Sequence, residues 1–177
     1  MKQIALAEPT TEQASRLAEF GARTFFESFA ADNKPEDMRA HLDSAWSTDK
    51  QLAELRNPDI DTLIVTDDQG AWLGFAQLRA NKRSEGVPEH GSIELWRFYV
   101  DKPFHGQGVA AELMKGAKAT ARQRGASSLW LGVWERNERA KAFYAKHGFR
   151  KVGSQVFVVG SDPQTDHVML CELETRP

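Results

Sequence analysis

The order of local signals between residues 92 and 134 restricts the fold more than any other feature of this 177-residue chain. An apolar strand pattern over 92–100 runs into the turn His105-Gly106-Gln107-Gly108, a helical pattern follows to about Arg124, and a second strand pattern covers 128–134. Strand, helix, strand in that order requires a right-handed crossover between two parallel strands of one sheet. Gly106 and Gly108 suit the turn because glycine takes positive φ and lets a ligand approach the backbone. Val109 and Ala110 then open a helix whose first N–H groups lack partners inside it. At the positive end of the helix dipole, those groups favour a phosphate.

The flanking segments complete a single α/β domain, residues 1–177, with a mixed sheet and no repeats or low-complexity linkers. A short strand is expected at 3–7, and Thr10-x-x-Gln13 is a capping-box pattern opening a helix that carries Leu17, Phe20 and Phe25 towards Phe29. Pro35 sets the first turn of a second amphipathic segment with Met38, Leu42 and Trp46. A third holds Leu52 and Leu55 and stops before Pro58. Segments 62–66 and 72–78 form a hairpin, 81–91 a polar loop, 138–147 a helix, and 151–159 and 166–173 the last two strands.

Charge excludes one class of partner. With 23 Lys and Arg against 25 Asp and Glu, the chain has no basic footprint for nucleic acid, and a cationic substrate is compatible. The five histidines, His41, His90, His105, His147 and His167, show no metal-ligand spacing, so no metal is expected. The lone Cys171 predicts a reducing compartment and reads as packing in an apolar strand, not as an acyl-carrying nucleophile. No secretion-signal order and no apolar run of membrane-spanning length is present, which predicts a soluble, cytoplasmic chain without a membrane partner.

Chemistry-bearing residues gather in two places. In Trp134-Glu135-Arg136-Asn137 through Gly148-Phe149, Asn137 is a good N-cap and Gly148 a left-handed C-cap. Asn137, Ala140 and Tyr144 then share one helix face, able either to flank an extended ligand arm or to pack on the sheet. Phe143 reads as packing alone. In the strand before the turn, alternation puts Glu94 on the face of Trp96, Phe98 and Val100. An apolar face would raise its pKa and fit it for a general base; an ion pair with a neighbouring arginine or a solvated strand end is the alternative.

This order of strand, Gly-rich turn, helix, strand, Asn-started helix with a late Tyr, then Gly-Phe resembles the GNAT superfamily of acetyl-coenzyme A dependent N-acetyltransferases. The family's turn runs [Gln/Arg]-x-x-Gly-x-[Gly/Ala], and His105-Gly106-Gln107-Gly108-Val109-Ala110 fits except at His105. The resemblance implies a mostly antiparallel mixed sheet with one splayed parallel strand pair and helices on both faces. It places the coenzyme pyrophosphate on residues 105–110, its pantetheine amides and thioester on the backbone of Phe98, Tyr99 and Val100, and its arm along Asn137, Ala140 and Tyr144. Glu94 is implied as general base and Tyr144 as proton donor to the leaving thiolate, in direct transfer to the amine.

Residues 25–38, 93–100, 129–149 and the tail 160–166 are further similar to bacterial polyamine acetyltransferases of the PaiA type. That implies a small-molecule amine such as spermidine or spermine, drawn by Glu27, Asp32, Glu36, Asp37 and Asp43 on the first helices; a homodimer is compatible. Amino-acid, peptide or protein amines, and a coenzyme-binding transcriptional module, remain alternatives. A nicotinamide enzyme reading of Gly106-x-Gly108-x-x-Ala111 with Glu135 is disfavoured by the five residues, Pro103 among them, between strand and first glycine.

Overall fold

Local signals in the sequence become element ends in the computed structural model, which describes residues 2–173. After β1 (Gln3–Leu6), Thr10 caps α1 (Thr11–Phe29) by accepting from the Gln13 N–H at 3.2 Å. The reciprocal bond of the capping box lands two residues earlier than expected, on the Glu8 N–H. Pro35 begins α2 (Pro35–Ala45), and Ser47 caps α3 (Thr48–Arg56). The hairpin β2 (Ile60–Thr66) and β3 (Trp72–Arg79) turns on Asp67, whose carboxylate accepts from the Gln69 and Ala71 N–H groups. Next come β4 (Ser92–Val100), α4 (Val109–Gln123), β5 (Ser128–Trp134), α5 (Glu138–Lys146), β6 (Arg150–Val159) and β7 (Asp162–Glu172). The last strand starts four residues before the expected Asp166 because the chain reverses at Gly160 and Ser161.

The seven strands form one sheet in the order β1-β2-β3-β4-β5-β7-β6. Only β4 and β5 are parallel among the described strands, and they pair only from Ser92 with Ser128 to Glu94 with Trp130. Beyond Glu94 the two strands part, so this edge of β4 carries N–H and C=O groups that no strand satisfies. A single parallel pair also lacks the repeated crossovers of a doubly wound dinucleotide fold, which removes the nicotinamide reading.

One register shift determines which way the site residues face. Leu78 pairs with Leu95 but Gln77 pairs with Arg97, so Trp96 is an extra residue, a β-bulge. Residues opposite each other across a ladder share a face. Glu94, Arg97 and Tyr99 therefore lie on the face of Arg79, Gln77 and Phe75, while Leu95, Phe98 and Val100 lie on the other. This corrects the expectation from simple alternation: Glu94 is on the opposite side of the sheet from Phe98 and Val100.

Each face carries its own core. On one, α4 presents Val109, Leu113, Met114, Ala117 and Ala121, all fully buried, against Leu95, Leu129 and Leu131, and α5 adds Tyr144. Burying a side chain such as Leu113 contributes about 1.5–3 kcal/mol. On the other, Leu17, Phe20 and Phe25 of α1 pack with Met38, Trp46 and Phe75. No helix of the described residues is long and apolar enough to cross a membrane.

Candidate active site

Where β4 and β5 part, a cleft of about 690 Å³ passes through the sheet. Phe98, Val100, Ala140 and Tyr144 line it on the α4–α5 side, and Glu94, Arg97, Tyr99 and Asp166 on the α1–α2 side. Two molecules entering from opposite faces would meet at the gap between the strands.

Burial sets the chemistry of Tyr144. It is 9% exposed, ringed by Phe98, Phe143 and Phe149 with centroids 5.5–6.3 Å away. Removal from water pushes its hydroxyl pKa well above the ordinary tyrosine value, with Tyr99 adding to the shift. The phenol therefore stays protonated at neutral pH, the form a proton donor needs.

Glu94 is 5% exposed, and its Oε2 accepts from Arg79 Nε at 2.8 Å and Nη2 at 2.7 Å. Burial raises its pKa above the usual carboxylate range, while the Arg79 guanidinium pulls it back. The ion pair with an arginine, the alternative read from the sequence, is the one observed, and the paired carboxyl lines the cleft. Arg79 in turn stacks on Trp96 at 4.0 Å, Arg97 stacks on the same ring at 3.9 Å, and Arg97 also lies 4.3 Å from Trp46. Arg97 is neutralised by buried Glu54 and donates to Gln77 Oε1 at 2.7 Å. The bulged Trp96 is thus clamped between two guanidinium groups, which fixes the β4 backbone beside the cleft.

The glycine turn has the backbone expected of it. Gly106 and Gly108 sit at φ 76° and 79°, and Gly108 begins α4 with no side-chain cap. Space around Gly106 is open to at least 4 Å, and the first N–H groups of α4 point out of the helix without an intrahelical acceptor. Such a cradle fits a phosphate. Val109 contributes only its backbone, because its side chain is fully buried, and the Gln107 amide is spent on the Pro103 carbonyl at 2.8 Å. His105 and Ala110 line the cleft, with His105 Nε2 2.8 Å from the Val100 carbonyl oxygen, so the imidazole engages the strand end and not open space.

The face of α5 came together as expected, with one change. Asn137, Ala140 and Tyr144 all line the cleft, but Asn137 Oδ1 caps its own helix by accepting from the Ala140 N–H at 3.1 Å. Only its amide NH₂ remains for a ligand. The expected acidic wall does not form: of Glu27, Asp32, Glu36, Asp37 and Asp43, only Glu27 lines the cleft. Asp37 accepts from the Ser161 N–H and hydroxyl, and Glu27 lies 3.4 Å from Arg23.

Sequence reasoning missed Arg79, Trp46, Arg139 and Asp166, which also line the cleft. For Asp166 a signal existed, since alternation aligns it with Val168 and Leu170, an acid in a row of core positions.

The sequence profile of the acetyltransferase (GNAT) family matches residues 22–149. The chain is 31% identical to an uncharacterized N-acetyltransferase of Lactobacillus delbrueckii subsp. lactis, over 96% of this chain and 97% of that one. It is 35% identical to an uncharacterized N-acetyltransferase of Mycobacterium bovis, over 90% of this chain and 97% of that one. Its fold is similar to that of the PaiA N-acetyltransferase of Thermoplasma acidophilum in complex with coenzyme A, with a TM-score of 0.77 and 21% identity over 96% of this chain and 99% of that one.

Proposed function

Because this chain belongs to the GNAT acetyltransferase family, we propose that it transfers an acetyl group from acetyl-coenzyme A directly to a primary amine of a small cationic molecule, with spermidine as the model acceptor. The observation that carries this reading is the cleft through the parted strands, with a protonated phenol on one side and carboxyls on the other. Acetyl-coenzyme A supplies an activated acyl group as a thioester. The residues of the chain hold it and move the protons. The N–H groups opening α4 receive the pyrophosphate, and Lys102 and Arg139, which line the cleft, are cations available to it. The unpaired edge of β4 at Phe98, Tyr99 and Val100 receives the pantetheine amides and offers N–H donors to the developing oxyanion.

An alkylammonium with pKa near 10 must lose a proton before it attacks, and the departing thiolate gains from a proton donor. Glu94 takes the first proton, directly or through a water, and Tyr144 gives the second. The polyamine part of the reading rests on the sequence resemblance and on the carboxylates Glu27, Glu94 and Asp166 along the cleft.

A thiol-release assay with acetyl-coenzyme A over spermidine, amino acids and peptide N-termini tests the function. Release stimulated by spermidine is expected. Efficient peptide acetylation without spermidine turnover moves the acceptor class, and no stimulation by any amine overturns the transferase reading. Two substitutions probe its parts. Glu94→Gln is expected to flatten the acidic limb of the kcat/KM profile, because the wild-type carboxyl must ionise to act and its raised pKa sets where that limb lies. An unchanged profile removes Glu94 as base. Gly108→Val forces a β-branched side chain to φ near 79°, a strain of roughly 1–2 kcal/mol. Coenzyme A affinity measured by calorimetry is expected to fall about tenfold; unchanged affinity in the folded variant takes the turn out of the site.

A further inference from the structure

Asp166 stands apart from the other buried acids of this protein. Glu54 is paired with Arg97, Glu94 with Arg79, and Asp37 with the Ser161 N–H and hydroxyl. Asp166 is 8% exposed and lines the cleft, yet among the described residues nothing donates a hydrogen bond to it or forms an ion pair with it. It lies on β7 between Trp134 of β5 and Gln155 of β6, on the face shared with Val168 and Leu170. Space is reserved for the carboxylate: a methyl group on Gly132 would come within 2.9 Å of Asp166 Oδ2 and 2.5 Å of Gln155 Nε2.

A carboxylate that is largely desolvated, has no donor from the protein and opens onto the cleft is stabilised by a cation bound there. The reacting nitrogen is a poor candidate for that cation, because it must be neutral when it attacks and a carboxylate beside it stabilises the protonated form. An ammonium that stays charged is the better occupant. The aromatic residues Tyr99, Trp134 and Phe157 line the same cleft and suit the methylenes and charge of an alkylammonium.

We propose that Asp166 anchors a second, non-reacting ammonium group of the acceptor, so that the substrate class is a diamine or polyamine and not a monoamine; this rests on the small-amine reading above. The desolvated carboxyl titrates at about 6, so it is ionised at neutral pH and available to a cation.

The test is equilibrium binding, which needs no turnover. Ligand-detected NMR titrations of the full chain with 1,4-diaminobutane and n-butylamine give an affinity ratio for wild type and for Asp166→Asn. The wild type is expected to favour the diamine, and the variant to lower that ratio by about 10-fold to 100-fold, the worth of one charge-assisted hydrogen bond. Thermal unfolding of Asp166→Asn is expected at the same temperature or higher, because an unpartnered buried charge has been removed. An unchanged ratio, no diamine binding by wild type, or a clearly lowered unfolding temperature overturns the proposal. The thiol-release assay judges acetyl transfer separately: monoamine turnover with no diamine preference defeats the anchor and leaves the transferase standing.

Discussion

Tyr144→Phe is expected to lower kcat by about 10²-fold to 10⁴-fold while coenzyme A affinity stays nearly unchanged. The ring remains, and with it the contacts to Phe98, Phe143 and Phe149 that hold α5 on the sheet. Only the hydroxyl is lost, and burial has kept that hydroxyl protonated by raising its pKa. The departing thiolate then has no donor except water entering the cleft. A loss confined to kcat identifies an interaction made in the transition state, whereas a rise in KM alone identifies ground-state binding. Steady-state kinetics with calorimetry separate these. A loss below roughly threefold when chemistry limits the rate would assign Tyr144 to packing.

Arg97→Met is expected to destabilise the protein by about 3–5 kcal/mol, which for a chain of this size is a fall in Tm of roughly 6–20 °C. Arg97 and Glu54 are each 8% exposed, so removing the guanidinium leaves a carboxylate buried without its counter-ion. The same change unsatisfies Gln77 Oε1 and frees Trp96 from one side of its clamp. Replacing Glu54 by Gln in the same chain is expected to recover part of the loss, because the stranded charge is gone. Urea unfolding of the two single variants and the double variant measures the coupling. Additive losses would mean that the pair contributes no coupling and that Arg97 stabilises through its stacking on Trp46 and Trp96.

Element ends were legible because their causes lie within a few residues. The Thr10 cap, Pro35 at the start of α2, the Asn137 cap and the positive φ of Gly148 all follow from side-chain chemistry and backbone sterics next to the position concerned. The parallel β4–β5 pair was legible for a topological reason, since strand, helix, strand leaves the chain no other right-handed return. The gathering of Asn137, Ala140 and Tyr144 on one face followed from helical periodicity alone.

The facing of β4 was not legible. A strand shows period two only while its register holds, and one unpaired residue, Trp96, moves Glu94 across the sheet from Phe98 and Val100. The partner of Glu94 is Arg79, on a neighbouring strand, and no spacing in the sequence announces it. The acidic wall read from α1 and α2 failed for the same reason: Asp37 found Ser161, a partner 124 residues away. Asp166 entered the cleft because β7 follows β5 out to Trp134, past the point where β5 has left β4. The sequence by itself determined the elements, their caps, the crossover and the positive-φ glycine turn before α4, all governed by neighbours in the chain. Only the tertiary structure decided which carboxyl faces which cation and which one keeps none, because those outcomes depend on strand register and on desolvation by residues far away in sequence.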